Sequence, residues 1–418
     1  MAETGNIIAH IFLFISLYFE IFLLVSFIEG RDFEKKNKET EIKESNVKKS
    51  YPSVTVIVPV FNEEKTLAKT IYSLLSLDYP KQLLSIFIVD DGSKDNTWRE
   101  MQRFKDNPVI SIFKKDNGGK YTALNLGIEK STSDIVGCLD ADSTVDPSAL
   151  KQIVKRFENK EVYAVTPSIQ IHNPKNIIEL IQTAEYTFSA FIRRVFSFLG
   201  SIYITPGPFS FFRRGVFSKI GPYKHAHNTE DLEIGLRMQK NHLKIINAYD
   251  AYVYTIAPKT LKALYKQRVR WIHGFLENAK DYRSLFFKPQ YGHLSMFILP
   301  TATLSIFSSL YFTGFVIWNT LIFIGNKIIE FSAVGLGLVT QPPQFDLFFL
   351  KSSSIFILTI ILITMTISLI LTGKHILKRK VRISKDILYF IFFYSFIAPL
   401  WLAKSVYNAA LSKKTSWR

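Results

Sequence analysis

Four long apolar stretches constrain the fold of this chain more than any other feature of its sequence. They cover residues 7–28, 294–324, 353–372 and 387–403, and each approaches or exceeds the roughly 20 residues that cross a bilayer as a helix. More than half of the 418 residues lie between the first and second stretches, which is enough for a soluble domain. The sequence therefore predicts a membrane protein with one large domain outside the bilayer.

The distribution of Lys and Arg predicts the orientation of the chain in the membrane. Residues 31–49 carry seven of these side chains and residues 374–385 carry six, whereas residues 326–350 carry one. Because Lys and Arg concentrate on the cytoplasmic side, the first two segments are expected inside and the third outside. Four full crossings would leave the basic tail at 412–418 outside, so we expect the last stretch to turn back near Pro399 and keep the tail inside.

Composition narrows the class of protein further. The net charge of +17 would suit nucleic acid or an anionic membrane surface, and the apolar stretches favour the membrane. A single cysteine, Cys138, excludes an intrachain disulfide framework and a cysteine-based zinc site, and its apolar neighbours predict a core thiol.

Glu20 lies inside the first apolar stretch, where it either contacts a neighbouring helix or water or has a functional role. Five regions are expected: 1–30, an anchor; 31–50, a charged linker; 51–290, a cytosolic domain; 291–411, membrane helices; and 412–418, a tail.

Strand and helix patterns alternate at short intervals in the first part of the soluble domain. The predicted strands cover 54–60, 84–89, 109–113 and 135–139, and the predicted helices cover 62–77, 98–105 and 120–129. This alternation is typical of a mostly parallel α/β sheet with helices on both faces.

Polar side chains follow three of these strands. The segments are Pro59 to Glu63, Asp90-Asp91 and Asp140-Ala141-Asp142. In open α/β sheets ligands bind at the carboxyl ends of the strands, so these segments are expected to meet at one ligand site. No glycine-rich dinucleotide or P-loop pattern follows any of the strands, which leaves those two classes without support.

The Asp140-Ala141-Asp142 pair suggests a divalent cation. Carboxylate oxygens suit Mg²⁺ and Mn²⁺, which commonly bridge carboxylates to substrate phosphates. A nucleoside diphosphate is the natural partner, because the ion neutralises its charge as it leaves. Asp142 is the expected direct ligand, with Asp140 beside it.

Two later clusters allow more than one interpretation. Thr229-Glu230-Asp231 opens a helical pattern, and its acids either cap that helix or include a general base, Asp231. Lys266 to Trp271 is a basic, aromatic segment that either faces anionic lipid or holds a diphosphate with Arg270 while Trp271 stacks on a sugar.

Together these motifs resemble those of the processive family-2 glycosyltransferases, the cellulose, chitin, hyaluronan and poly-N-acetylglucosamine synthases. The motifs that carry the resemblance are Asp90-Asp91-Gly92-Ser93, Asp140-Ala141-Asp142, Thr229-Glu230-Asp231 and Gln267-Arg268-Val269-Arg270-Trp271. The resemblance covers about residues 52–290. It is strongest to the bacterial poly-β-1,6-N-acetylglucosamine synthases. It implies a GT-A fold and inverting transfer from a UDP-sugar, with UDP-N-acetylglucosamine the first choice, to a growing glycan at the cytoplasmic membrane.

The resemblance also implies a role for each matching residue. Asp231 would be the catalytic base, with Glu230 beside it, and Asp142 and Asp140 would hold Mg²⁺ or Mn²⁺. The implied nucleotide-sugar contacts are Pro59, Phe61, Glu63, Asp90, Asp91, Lys120, Asp140, Gln267 and Arg270. The implied acceptor contacts are Trp271, Thr229 and Phe209, the last in a loop whose Pro206 and Pro208 depart from the family's small-residue pattern.

Two further segments connect the domain to the bilayer. Residues 174–200 and 272–288 combine apolar residues at near-helical spacing with basic residues, which predicts interfacial helices or ordinary core helices; the second segment favours the interfacial alternative. In the family such helices seat the domain against a membrane channel, and a Trp- and Arg-containing tail like that at 414–418 lies near the nucleotide. With four spans at most the channel would be narrow, so an accessory export subunit or a second copy is a further expected partner.

Two other functions remain open from the sequence. One is a non-processive transferase that adds a single sugar to a lipid-linked acceptor, and the other is a non-catalytic basic membrane adaptor. The segment 267–271 and the several C-terminal spans disfavour the first, and the ordered set of motifs disfavours the second.

Overall fold

A mixed β-sheet forms the centre of the extramembrane domain. The computed structural model describes residues 2–41, 51–334 and 353–411. Its strands are β1 (Val54–Val60), β2 (Leu84–Asp90), β3 (Ile110–Lys114), β4 (Ile135–Cys138), β5 (Thr144–Val145), β6 (Val162–Ile171), β7 (Ser210–Arg213) and β8 (Lys244–Thr255). In the described residues these form one sheet in the order β3-β2-β1-β4-β7-β6-β8-β5.

Most of the sheet is parallel. β1 pairs in parallel with β2 and β4, β2 with β3, and β6 with β8, whereas β7 and β5 run antiparallel to their neighbours. The predicted α/β class is therefore confirmed. The two reversed strands carry no period-2 alternation that would have distinguished them in the sequence.

Helices cover both faces of the sheet and extend toward the membrane. The first nine are α1 (Ala2–Glu41), α2 (Leu67–Leu75), α3 (Thr97–Gln102), α4 (Lys120–Lys130), α5 (Ala149–Arg156), α6 (Ile177–Phe198), α7 (Gly215–Ile220), α8 (Glu230–Lys240) and α9 (Leu261–Asp281). Val54, Val56 and Val58 of β1 pack in one core with α2 and α5, while Ile57 packs in a second core with α4 and α8. Alternate residues of β1 thus serve opposite faces, which explains why the strand is apolar throughout.

Four described helices are long and apolar enough to cross a membrane: Gly5–Lys36, Leu294–Ala333, Ser354–Ile376 and Lys385–Ala410, here called the first to fourth spans. The helices that form the last three are α10 (Leu299–Val334), α11 (Ser354–Ile376), α12 (Lys385–Tyr389) and α13 (Ser395–Ala410). Glu20 of the first span accepts a 2.6 Å hydrogen bond from Thr366 Oγ1 of the third. The expected contact between Glu20 and a neighbouring helix is therefore present.

α6 joins the soluble domain to the spans. Its Phe191 and Val195 pack with Leu23 and Phe27 of the first span and with Leu369 of the third. A capping box between Asn176 and Glu179 fixes its start, in agreement with the helix predicted at 174–200. One face of α6 therefore meets the membrane helices, while its other contacts include β6 and β8.

Two helices, α1 and α9, extend well beyond the sequence prediction. α1 continues to Glu41, so the first part of the expected linker is helical, because its Glu and Lys residues are good helix formers. The helix expected at 272–288 begins earlier: Thr260 Oγ1 caps it, and it runs from Leu261 to Asp281 as α9.

The expected turn near Pro399 is wrong. The fourth span stays helical through Pro399, which lies one turn after a π-helical segment, Phe390–Tyr394. A widened turn before a proline provides room for its ring and tolerates its missing N–H donor. The basic tail at 412–418, whose side of the membrane depended on this turn, lies outside the described residues.

We predict that Gly373→Ala destabilises the contact between α6 of the extramembrane domain and the third span. A Cβ at Gly373 would lie 2.3 Å from the carbonyl oxygen of Thr187 in α6, so either the helices separate or the backbone shifts. Overpacking of this kind costs about 1–3 kcal/mol. The measurement is the Tm of the full chain in detergent.

The control is Gly314→Ala in α10, where a Cβ would meet open space. It should leave the Tm unchanged or raise it slightly, because Ala favours a helix more than Gly does. Equal Tm values for the two variants would contradict the close contact between α6 and the third span.

Candidate active site

The three polar strand ends predicted to converge do so. β1 lies between β2 and β4, all three are parallel, and Val60 at the end of β1 pairs with Asp90 at the end of β2. The segments that begin at Phe61, Asp91 and Asp140 therefore leave one edge of the sheet. That edge is where an open α/β sheet places its ligand.

Lys120 joins two of the sequence motifs into one site. It is the first residue of α4, and its Nζ lies 2.6 Å from Asp140 Oδ1 and 3.4 Å from Glu230 Oε1. Burial alone would lower the pKa of Lys120, but the carboxylates of Asp140 and Glu230 raise it above its ordinary value. The ammonium thus stays charged and balances two of the acids that meet here.

A loop anchored by Asp91 positions Lys120. The carboxylate of Asp91 accepts hydrogen bonds from Lys115 Nζ at 2.6 Å, from the Gly118 N–H at 3.0 Å and from the Gly119 N–H at 2.8 Å. Gly119, at φ +92°, adopts a backbone conformation that favours glycine immediately before Lys120. The hydrogen bonds to the Asp91 carboxylate therefore fix the turn that precedes α4, a role additional to the predicted nucleotide contact.

Asp90 retains an unused acceptor. Its Oδ1 accepts from the Ser93 N–H at 2.9 Å, while its buried Oδ2 has no hydrogen-bond partner among the described residues. Buried carboxylate oxygens are normally bonded, so this atom marks a position where a ligand N–H would fit. Pro59 and Phe61 lie half-buried near this edge.

Asp142 is the second carboxylate of the 140–142 pair and has a different environment from Asp140. Its Oδ1 accepts a 3.1 Å hydrogen bond from Ser143 Oγ. Burial, followed by the charges of Asp140 and Glu63, raises the pKa of Asp142 to about 6. A cation that binds beside this carboxylate stabilises its ionised form.

The pair fits a divalent cation that takes oxygen ligands. Among the described residues no three His, Cys, Asp or Glu side chains form a metal-ligating group, so Asp142 and Asp140 would supply only part of a coordination shell. Mg²⁺ and Mn²⁺ commonly take one or two carboxylates and complete their shell with water and substrate phosphates. The donor set therefore suits an ion that arrives with a diphosphate.

Asp231 occupies the first turn of α8. Its backbone carbonyl accepts from both the N–H and the hydroxyl of Thr205 at 3.0 Å, and its Oδ1 accepts from the Leu232 N–H at 2.9 Å. Burial, followed by the charge of Glu230, raises the pKa of Asp231 to about 6. The carboxylate is thus half-buried, fixed in place and a stronger base than an exposed aspartate.

The segment 267–271 lies on α9, a helix that contacts the start of α8 through Asn278 and Thr229. Arg268 Nη2 donates to Glu185 Oε2 at 2.7 Å, and its guanidinium lies 4.4 Å from the centroid of the Trp271 ring. Gln267 Oε1 is buried without a hydrogen-bond partner among the described residues. Arg270 is half-buried one residue before Trp271.

Tyr186 connects the two ends of the site. Burial raises the pKa of Tyr186 to about 12, Arg268 lowers it and Asp142 raises it, so this phenol lies within the electrostatic range of both. Tyr186 of α6 is thus within the electrostatic range of one residue from the acidic strand ends and one from α9.

Two predicted acceptor contacts lie in packing positions. Phe209 has no exposed surface and stacks edge-on against Phe211, so its ring cannot reach an acceptor in this structure. Thr229 accepts from Asn278 Nδ2 at 2.9 Å and donates to the Ala226 carbonyl, so its hydroxyl joins α8 to α9 instead of capping α8. The loop resembles an acceptor-side loop in sequence, but Phe209, at a positive φ of 67°, is fully buried in the core.

Two further residues, Gly207 and Glu185, shape the site through contacts that the sequence alone does not reveal. A Cβ at Gly207 would lie 2.5 Å from Lys120 Nζ and 2.9 Å from both carboxylate oxygens of Asp140, so a larger residue here would displace this pair. Glu185 is a lone acid in an amphipathic helix, and nothing in its local pattern points to Arg268. Cys138 is buried, as predicted, and its thiol donates to the Gly207 carbonyl at 3.1 Å.

Comparison with known proteins agrees with this geometry. Residues 55–221 match the family model Glycosyl transferase family 2. The chain is 32% identical over 272 residues to a poly-beta-1,6-N-acetyl-D-glucosamine synthase of Staphylococcus epidermidis, which covers 63% of this chain and 65% of that protein. It is 33% identical over 224 residues to a protein of the same name from Staphylococcus aureus, with 53% and 54% covered. The chain thus spans between about half and two thirds of these curated relatives.

A solved structure supports the fold along nearly the whole chain. It is a mannosyltransferase from Pyrobaculum calidifontis in complex with GDP-Man and Mn²⁺; the match has a TM-score of 0.57 at 18% identity and covers 95% of this chain and 99% of that one. At this identity the likeness concerns the fold. The sheet has the GT-A-like arrangement of that fold, and the match to the glycosyl transferase family 2 model concerns residues 55–221.

Proposed function

We propose that the chain is an inverting, processive glycosyltransferase that polymerises a UDP-sugar, UDP-N-acetylglucosamine first, into a β-linked glycan. The observation that carries this proposal is the placement of Lys120 between Asp140 and Glu230, which joins the donor-side and base-side motifs in one cleft. The two staphylococcal relatives named as poly-beta-1,6-N-acetyl-D-glucosamine synthases support the sugar and the linkage type.

Asp231 acts as the general base. Its pKa of about 6 leaves it ionised at neutral pH and still basic enough to take a proton from an acceptor hydroxyl. The hydroxyl oxygen bonds to the anomeric carbon from the face opposite the diphosphate, and the bond to UDP breaks with inversion. Glu230 stays paired with Lys120, which leaves Asp231 as the acid free to receive the proton.

Lys120 and Asp90 hold the departing nucleotide. The Lys120 ammonium stabilises negative charge on the diphosphate, and the open Oδ2 of Asp90 accepts an N–H from the base. A Mg²⁺ or Mn²⁺ ion held by Asp142 and Asp140 would neutralise the charge of the diphosphate oxygens. Pro59, Phe61 and Glu63 line the nucleotide side, with Gln267 and Arg270 on the opposite side of the diphosphate.

Trp271 stacks on the sugar at the acceptor end of the cleft, beside the hydrogen bond by which Thr229 joins α8 to α9. The cleft opens toward α6 and α9, which contact the spans, so a growing chain has a short path to the membrane. In this proposal the chain sits in the cytoplasmic membrane with its catalytic domain in the cytosol. An accessory subunit or a second copy completes the route across the bilayer.

A second candidate function is transfer of one sugar to a lipid-linked acceptor. One observation favours it: the described parts of the second and third spans are mostly exposed, as expected of helices that face lipid. The same base and diphosphate site serve both reactions.

We predict that Asp231→Asn lowers the transfer rate by at least about 10²-fold while leaving UDP-sugar binding within about twofold, because the amide cannot accept the proton. In the wild type, kcat/KM should be flat above pH about 6 and fall about tenfold per pH unit below it, as Asp231 protonates with its pKa of about 6. Rates of UDP release across this pH range provide the measurement. An unchanged rate for Asp231→Asn would reject Asp231 as the base.

We predict that Asp142→Asn stabilises the ligand-free protein at about pH 7.5 by about 1–2 kcal/mol. The folded state raises the pKa of Asp142 from 3.8 to about 6, so this group destabilises the fold progressively as pH rises between those values. Thermal unfolding of the full chain measures the effect. Mn²⁺ should raise the Tm of the wild type and leave that of Asp142→Asn unchanged.

Asp78→Asn provides the control for Asp142→Asn. Asp78 forms an exposed ion pair with Lys151, so its loss should shift stability by less than about 1 kcal/mol, and the Mn²⁺ response should remain. A lower Tm for Asp142→Asn, or a preserved Mn²⁺ response, would count against Asp142 as a metal ligand.

We predict that purified protein with Mn²⁺ and UDP-N-acetylglucosamine yields a ladder of products longer than one sugar. Stacking on Trp271 keeps the glycan bound between additions, so Trp271→Ala should shorten the products. Product sizing with UDP-glucose, UDP-N-acetylglucosamine and GDP-mannose in parallel identifies the donor. A single-sugar lipid product would reject polymerisation and select the second candidate.

A further inference from the structure

Arg268 is a buried charge at the junction of three helices. It lies on α9 with 5% of its surface exposed, and its Nη2 donates to Glu185 Oε2 of α6 at 2.7 Å. A buried guanidinium is costly unless a carboxylate is placed to meet it. Glu185 is that carboxylate, and the pair fixes the distance between α6 and α9.

The other face of the guanidinium supports Trp271. Arg268 and Trp271 are three residues apart on α9 and therefore share one side of the helix. The guanidinium carbon lies 4.4 Å from the centroid of the Trp271 ring, a cation–π contact. The orientation of the indole thus depends on where Glu185 holds Arg268.

The fourth span contacts the same carboxylate. Tyr394 OH donates to Glu185 Oε1 at 3.3 Å, so the two oxygens of Glu185 serve two different helices. Ser405 Oγ of the same span donates to the Val269 carbonyl of α9 at 3.2 Å. Trp401 packs edge-on against Tyr394, with ring centroids 5.8 Å apart. The fourth span is therefore joined to α9 directly at Val269 and, through Glu185, at Arg268.

We propose that Glu185 is a positioning residue that couples the fourth span to the acceptor end of the cleft. Tyr394 holds Glu185, Glu185 holds Arg268, and Arg268 sets the tilt of Trp271. A shift of the fourth span is thereby transmitted to the ring on which the sugar stacks. The functional half of this inference rests on the proposed glycosyltransferase activity; the physical linkage does not.

The first measurement tests the linkage without activity. The full chain labelled with 5-fluorotryptophan gives resonances from five tryptophans, and the one lost in Trp271→Phe is that of Trp271. Glu185→Gln and the milder Tyr394→Phe should both move it. The matched control is Glu277→Gln, which breaks a surface pair with Lys280 on the same helix and should leave it in place.

The second measurement separates positioning from folding. Glu185→Gln should raise the acceptor KM about tenfold, as expected for loss of one charge-assisted hydrogen bond, while acceptor-independent UDP-sugar hydrolysis stays within about twofold. Tyr394→Phe should act in the same direction to a smaller extent. The double variant should fall short of the product of the two single effects, because both act through Arg268.

The outcomes test separately the physical linkage from the fourth span to Trp271 and the functional role of Glu185. A Trp271 resonance that Glu185→Gln does not move overturns the linkage, and equal losses of hydrolysis and transfer with a lowered Tm reduce Glu185 to a structural role. A shifted resonance with no sugar transfer by the wild type supports the linkage and rejects the proposed function.

Discussion

The site depends on one cation placed among acids. Asp140, Glu230 and Asp231 come together at one edge of the sheet, where burial and then the charge of Glu230 raise the pKa of Asp231, and like charges oppose folding. The Lys120 ammonium, 2.6 Å from Asp140 and 3.4 Å from Glu230, offsets part of this repulsion. It pairs with those two acids, whereas the acids with a raised pKa are Asp142 and Asp231. The division of roles in the cleft follows from that asymmetry.

The position of Lys120 is set by elements far apart in the chain. Asp91 folds the turn before α4, Gly207 closes over the ammonium from a later loop, and Asp231 is tied through its carbonyl to Thr205. A change in any of these would disturb the balance of charge at the sheet edge. The site is therefore a property of the whole sheet and its loops and not of one motif.

Much of this arrangement could be predicted from the sequence. Apolar runs such as Val54–Val60 and the acids that follow them specify parallel strands and their ligand edge, because both depend on local pattern. What could not be predicted depends on tertiary contact. The partner of Arg268 is Glu185, 83 residues away, the reversed strand β7 has no local signature, and the bulge that accommodates Pro399 is invisible in its composition. Phe209 was misassigned because its loop resembles a binding loop, although its backbone turns the ring inward.

The buried state of Cys138 has a practical consequence for mapping this molecule. It is the only cysteine in the chain, only 4% of it is exposed, and burial, chiefly, raises the pKa of its thiol to about 12. Alkylating reagents react with the thiolate, so the native protein is almost inert to maleimides. A cysteine introduced in any loop would therefore be the one thiol that reacts, and Cys138 need not be replaced. Membrane-impermeant maleimides could then assign each loop between spans to one side of the bilayer.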